Sequence, residues 1–263
     1  DRVVQTLPFF LGAFECQHLL ADGEVAVALC EIFKRAEQDL YSGPKQFYTD
    51  FAGATVTTVL RGRGDAVYVA SVGDSRAIMF RKSGALLFST SDHKPDRPDE
   101  RARIQEAGGV CVVKPPLLGM RIYDPESNLA YPGLNVSRSL GDACAKGLGV
   151  IEQPEICKWE VGKYSDAYVL VASDGVWEFL SDSDVADFLG KQLRFGYSPS
   201  ECVEQLIEKA KRLWIENENG YVDDITAVLI SAKLPLESQN VGSRCVIGCI
   251  QQVMRVMCPR LSS

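Results

Sequence analysis

The sequence predicts an α+β fold in which two β-sheets are sandwiched between helices, and three observations predict it. Short runs rich in β-formers, such as Tyr168 to Ala172 and Ile225 to Ile230, end on turn or acidic residues. Longer segments place apolar residues three and four apart and open on capping patterns. Their order along the chain is strands, two helices, a long β-run, a helix, strands, two helices and a last strand, so helices gather around sheets.

Residues 1 to 14 read as two short strands parted at Leu7-Pro8, with Phe9, Phe10, Leu11 and Phe14 buried. Glu15 to Asp22 already has helical spacing, and a second helix is expected from Glu24 to Tyr41 on Val25, Ala28, Leu29, Ile32, Phe33, Ala36 and Leu40. A strand that feeds a helix with no turn residue is sterically awkward, which suggests a missing loop between Phe14 and Glu15. From Phe51 an antiparallel meander is expected through Gly62 to Asp65, Gly73-Asp74 and the Lys82-Ser83-Gly84 turn. A helix from Pro98 to Ala107 is stopped by Gly108-Gly109, and residues 110 to 133 read as a surface flap with a hairpin rather than a packed element. Strand Cys157 to Val161 precedes the apolar run at Tyr168. Two capping boxes, at Ser181 and Ser198, then open helices expected to end near Leu189 and Trp214.

The division expected is one domain over 1–236 and a tail over 237–263, whose apolar spacing predicts an amphipathic helix. The 263 residues, 46% of them hydrophobic, suffice for a sizeable core. A net charge of −7 argues against nucleic acid and against a polybasic membrane patch. No apolar run approaches the roughly 20 residues that span a bilayer, and no signal peptide is recognisable. Nine cysteines at irregular spacing, an odd number without a C-x-x-C pair, fit reduced thiols in a cytoplasmic or nuclear protein. A monomer is expected.

The chemistry is written at the strand ends. Tyr168 to Ala172 is apolar on both faces yet runs into Asp174-Gly175, and Asp223-Asp224 stands just before another β-run. Asp-Gly alone is an ordinary turn dipeptide. Two acidic strand ends that converge are different, because packed carboxylates repel unless a cation neutralises them. Oxygen donors favour Mg²⁺ or Mn²⁺, and two histidines without paired cysteines make zinc a poor candidate.

The segments GDSRA at 73 to 77, SDHKPDRPDERARIQEAGG at 91 to 109, PGLNVSRSLGD at 132 to 142, VIEQPEI at 150 to 156, ASDGVWEFLS at 172 to 181 and VDDITAV at 222 to 228 resemble the metal-dependent serine/threonine protein phosphatases of the protein phosphatase 2C family. The resemblance implies a central antiparallel β-sandwich flanked by helices on both sides, a four-layer αββα fold. It also implies two Mg²⁺ or Mn²⁺ ions, or three, and hydrolysis of phosphoserine and phosphothreonine in phosphoprotein substrates by a metal-activated water. Asp174, Asp223 and Asp1 fall on the family's metal-ligand positions, and Asp74 and Glu178 on those of a weaker third site, where Asp is usual at 178. The family's Asp-Gly-His-Gly-Gly, expected directly after Phe14, is absent; Glu15 is the candidate replacement for its Asp. Arg2 and Arg138 are candidates for meeting the substrate phosphate, with surface ion pairing as the competing reading. Three readings therefore stand: an active phosphatase, a catalytically impaired pseudophosphatase that acts as a binding or regulatory module, and a purely structural domain.

Overall fold

The structure, a computed structural model, describes residues 2–12, 23–42, 49–61, 66–115, 119–232 and 248–255. Helices α1 (Arg2–Leu11) and α2 (Val25–Ser42) come first, followed by strands β1 (Ala52–Arg61), β2 (Ala66–Val72), β3 (Arg76–Arg81) and β4 (Leu86–Ser89). Helix α3 (Pro98–Glu106), the short strands β5 (Val110–Val112), β6 (Arg121–Tyr123), β7 (Pro132–Leu134) and β8 (Leu140–Gly141), and the one-turn helix α4 (Ala143–Lys146) form the middle of the chain. Then come β9 (Glu155–Glu160), β10 (Ala167–Ala172), the one-turn α5 (Asp174–Trp177), α6 (Asp182–Arg194), α7 (Pro199–Asn217), β11 (Ala227–Ser231) and β12 (Gly248–Arg255).

Two antiparallel sheets make the sandwich. The first runs β12-β1-β2-β9 with β8 also on β1, and the second runs β11-β10-β3-β4. Between them pack Val59, Val69 and Trp159 from the first sheet and Met79, Val169 and Val171 from the second. The outer face of the first sheet carries Val56 and Leu60, covered by Leu7 of α1 and Ile32 and Phe33 of α2. On the other side Ile78, Phe80 and Leu170 meet Val176 of α5, Leu189 of α6 and Leu206 of α7. The result is the αββα layering, and each large side chain so buried contributes about 1.5–3 kcal/mol.

Several local expectations change. The N-terminal stretch is the helix α1 rather than two strands: Val3 and Leu7 are spaced four apart and buried against α2, while Phe9 projects into solvent. The meander is broken, because β2 pairs with β1 and β9 whereas β3 pairs with β10 and β4, so the chain changes sheets at Gly73-Asp74-Ser75. Helix α6 continues through Gly190, where a Cβ would lie 2.5 Å from the Gly84 nitrogen; here glycine marks close packing against the β3–β4 hairpin, not a helix end. The expected flap is instead a three-stranded sheet, β5-β6-β7, whose Ile122 and Leu134 share a core with Ile104 of α3. In the tail, residues 248–255 form a strand, not a helix, paired with β1 from Ala52↔Arg255 to Val59↔Gly248. The unpaired backbone edge of β1 outweighs the helical spacing read there. The segment from Glu15 to Asp22, and with it the Phe14 to Glu15 junction, lies outside the described residues.

Candidate active site

Pairing in the second sheet collects three acidic segments at one end. Ala172, the last residue of β10, stands opposite Arg76, the first of β3, and opposite Ala227, the first of β11. Asp74 is thus two residues before one strand, Asp174 two residues after its neighbour, and Asp223 four residues before the third.

Each segment is fixed by the backbone. Ser173 donates its hydroxyl to the Asp224 carbonyl at 3.0 Å and accepts from the Thr226 N–H at 3.0 Å, which stitches the Asp174 turn to the Asp223-Asp224 loop. Gly175 lies so close that a Cβ would stand 2.6 Å from the Asp224 carbonyl oxygen. The Trp177 indole donates to the Ala172 carbonyl at 2.9 Å, and the Trp214 indole to the Gly175 carbonyl at 2.7 Å. Asp174, expected at a strand end, is in addition the first residue of α5, and Glu178 follows one turn later, exposed, with its N–H on the Asp174 carbonyl at 3.0 Å. Asp223 is half-buried and accepts the Asp224 N–H at 2.7 Å.

The Asp74 loop is clamped from all sides. Gly73 has φ +96°, and a Cβ there would drive into the Thr55 side chain. Thr55 and Ser75 share a hydrogen bond of 2.8 Å, Thr57 donates to the Ser75 carbonyl at 2.7 Å, and the His93 N–H donates to the Gly73 carbonyl at 2.9 Å. Asp74 is fully buried; one carboxylate oxygen accepts from the Lys94 ammonium and the other has no hydrogen-bond partner. Although burial opposes the charge, the carboxylates of Asp74, Asp174 and Asp92 hold Lys94 above the ordinary lysine value. Arg76 ties the same end together through two bonds to Asp92, at 2.8 and 2.9 Å, and an ion pair with Asp182 of α6.

Sequence reasoning singled out Asp74, Asp174, Glu178 and Asp223, and all four lie at this end. Asp1 and Glu15 lie outside the described residues, and Arg2 begins α1, on the outer face of the other sheet. Arg138 is committed elsewhere, with its guanidinium on Glu100 at 2.7 Å and on the Gln153 carbonyl at 3.0 Å. Lys94, Ser173 and Trp214 were missed. Ser173 adjoins Asp174 in the chain, whereas Lys94 and Trp214 reach the site only through contacts between distant segments. Among the described residues, no three acidic, histidine or cysteine side chains are grouped tightly enough to hold a metal ion by themselves. The donors present are nevertheless hard oxygens, and the unpartnered buried oxygen of Asp74 suits a cation.

The two-sheet αββα sandwich is similar to the fold of a solved serine-threonine phosphatase 2C from Toxoplasma gondii, with a TM-score of 0.63 and 23% identity over 87% of this chain and 75% of that one. A C.elegans sex determining protein shares the fold at a TM-score of 0.60 and 21% identity, over 80% of this chain and 47% of that one. The chain belongs to the protein phosphatase 2C family, whose model matches residues 15–217. Probable protein phosphatase 2C 73 of Arabidopsis thaliana is 32% identical over 187 residues, which cover 68% of this chain and 48% of that protein. Probable protein phosphatase 2C 64 of Oryza sativa is 32% identical over 225 residues, 82% of this chain and 51% of that protein. The chain thus spans about half the length of these relatives.

Proposed function

We propose that the chain hydrolyses phosphoserine and phosphothreonine in proteins, dependent on Mg²⁺ or Mn²⁺. The observation that carries this reading is the stitching of the Asp174 turn to the Asp223-Asp224 loop beside Asp74, at one end of one sheet. Asp174 and Asp223 would hold the metal, with Asp74 and Glu178 beside them for a further ion; Asp1 and Glu15 are the candidates to complete the set. Bound there, such ions supply charge stabilisation to the phosphoryl oxygens and lower the pKa of a coordinated water. The chain's own residues do the orienting: Ser173, Gly175 and Trp214 fix where Asp174 points, and Lys94 balances the charge of Asp74. No described helix is long and apolar enough to cross a membrane. A cytoplasmic or nuclear site of action and a monomeric state belong to the same proposal.

The second reading, a pseudophosphatase, draws on two observations. The Asp-Gly-His-Gly-Gly segment is absent from the sequence, and the Lys94 ammonium already occupies an oxygen of Asp74. Hydrolysis of a phosphothreonine peptide by the full chain, with and without added Mn²⁺, separates the two. Activity that appears with Mn²⁺ and disappears with chelator supports the phosphatase. No turnover at any metal concentration supports the binding module, and activity indifferent to chelator overturns both metal-based assignments.

A further inference from the structure

The acidic end has an aromatic rim. Helix α7 closes with the Glu218 N–H on the Trp214 carbonyl at 2.8 Å, and the chain then reverses through Asn219 and Gly220, at φ +51° and +87°. That reversal lays Tyr221 back over Trp214, edge to face, with ring centroids 5.8 Å apart. Trp214 is itself braced by Phe179, at 5.0 Å and near-perpendicular, and its indole N–H is engaged by the Gly175 carbonyl. Tyr221 is therefore held in place on one side while 60% of it faces solvent, two residues before Asp223. An exposed aromatic ring fixed by packing is well suited to contact, because little side-chain freedom is lost when it binds. Its neighbours set the charge it favours: Glu218, whose carbonyl accepts the Tyr221 N–H at 2.9 Å, and Asp224, three residues on, are both exposed beside it.

We infer that Tyr221 is a specificity-determining residue that receives a basic side chain, Arg or Lys, close to the phosphorylated residue of the substrate. The ring offers its face to the cation, and the surrounding carboxylates add attraction at longer range. The inference rests on the phosphatase reading for the placement of the phosphate, but not for the contact itself.

The test uses the full chain and two phosphothreonine peptides that differ only in an Arg or an Ala beside the phosphorylated residue, with affinity measured by calorimetry and turnover recorded separately. An exposed cation–π contact predicts that the Arg peptide binds roughly two- to fivefold more tightly. Tyr221→Ala should erase that preference and Tyr221→Phe should keep most of it; Tyr221→Phe should melt with the wild type, and Tyr221→Ala, which loses the edge contact with Trp214, about 2–4 °C lower at most. Equal or absent binding of the two peptides by the wild type, or a preference that survives Tyr221→Ala, overturns the inference. If the preference is present and lost in Tyr221→Ala while neither peptide is hydrolysed, the contact stands and the phosphatase reading fails. Hydrolysis of both peptides with no preference overturns the contact and leaves the phosphatase reading standing.

Discussion

Carboxylates stand at the ends of both sheets, but in opposite circumstances. At the end of the second sheet, Asp174 and Asp223 stand on segments stitched together by backbone hydrogen bonds, Glu178 lies one helical turn beyond Asp174, and all three keep access to solvent, with Asp74 buried on Lys94. Where α2, β1, β8 and α4 meet, Glu37 and Asp142 are sealed in. Glu37 is fully used, by the Gly141 N–H at 2.8 Å, the Tyr41 hydroxyl at 2.6 Å and Lys146 at 3.0 Å. Asp142, 1% exposed and at φ +50°, has no hydrogen-bond partner for either oxygen. Burial pushes its carboxyl up to about 6, and the neighbouring Ser139 and Lys146 offset only part of the cost. The contrast shows that an acidic residue in a sheet end is a functional candidate through what converges on it. Sequence alone presents Gly141-Asp142 and Gly73-Asp74 as similar pairs.

A buried carboxylate with every partner in place calibrates the contrast. Glu100 of α3 accepts two bonds of 2.7 Å from Arg103, another of 2.7 Å from Arg138, and the Ser137 hydroxyl. Against the cost of burial, these groups hold its carboxyl far below the usual carboxylate range. Glu100→Ala strands the guanidinium groups and should destabilise the protein by about 3–5 kcal/mol, read as a lower urea midpoint. Because the folded-state pKa is depressed, the stabilisation by Glu100 is present above the ordinary value of 4.5 and is lost as the pH falls below it. The variant and the wild type should therefore converge in acid.

Next in size is Asp174→Asn. Phosphopeptide turnover should fall by roughly two to three orders of magnitude, the scale of losing several kcal/mol of charge stabilisation, while the melting temperature moves little. An equal loss of turnover in Asp142→Asn would erase the distinction between the two ends. Gly175→Ala probes the stitching itself: a Cβ 2.6 Å from the Asp224 carbonyl forces the two loops apart, at a cost of about 1–3 kcal/mol in stability and with reduced activity.

The smallest effect expected is a gain. An acid whose folded pKa is raised stabilises fully below its ordinary 3.8 and loses that contribution as the pH rises through about 6. Asp142→Asn, which imitates the protonated form, should raise stability by roughly 1–2 kcal/mol at pH 7.5 and by almost nothing near pH 4. Thermal melts at the two pH values measure it, and destabilisation at pH 7.5 would show that the charge has a partner after all.

Whatever is settled within a few residues was legible in the chain alone. The capping boxes of Ser181 and Ser198 form as read, the latter with the Glu201 carboxylate on the Ser198 N–H at 2.7 Å, because each needs only its own turn. The apolar run to Ala172 is a buried strand and Asp174 follows it, since a run so uniformly apolar is stable only inside a sheet. Packing between distant segments settled the remainder. Whether residues 2–11 and 248–255 are helix or strand depended on the surface of α2 and the open edge of β1, neither visible in a local period. The same holds for the site: Lys94 meets Asp74, and Trp214 meets Gly175, across 20 and 39 residues of chain, through packing that no local pattern encodes.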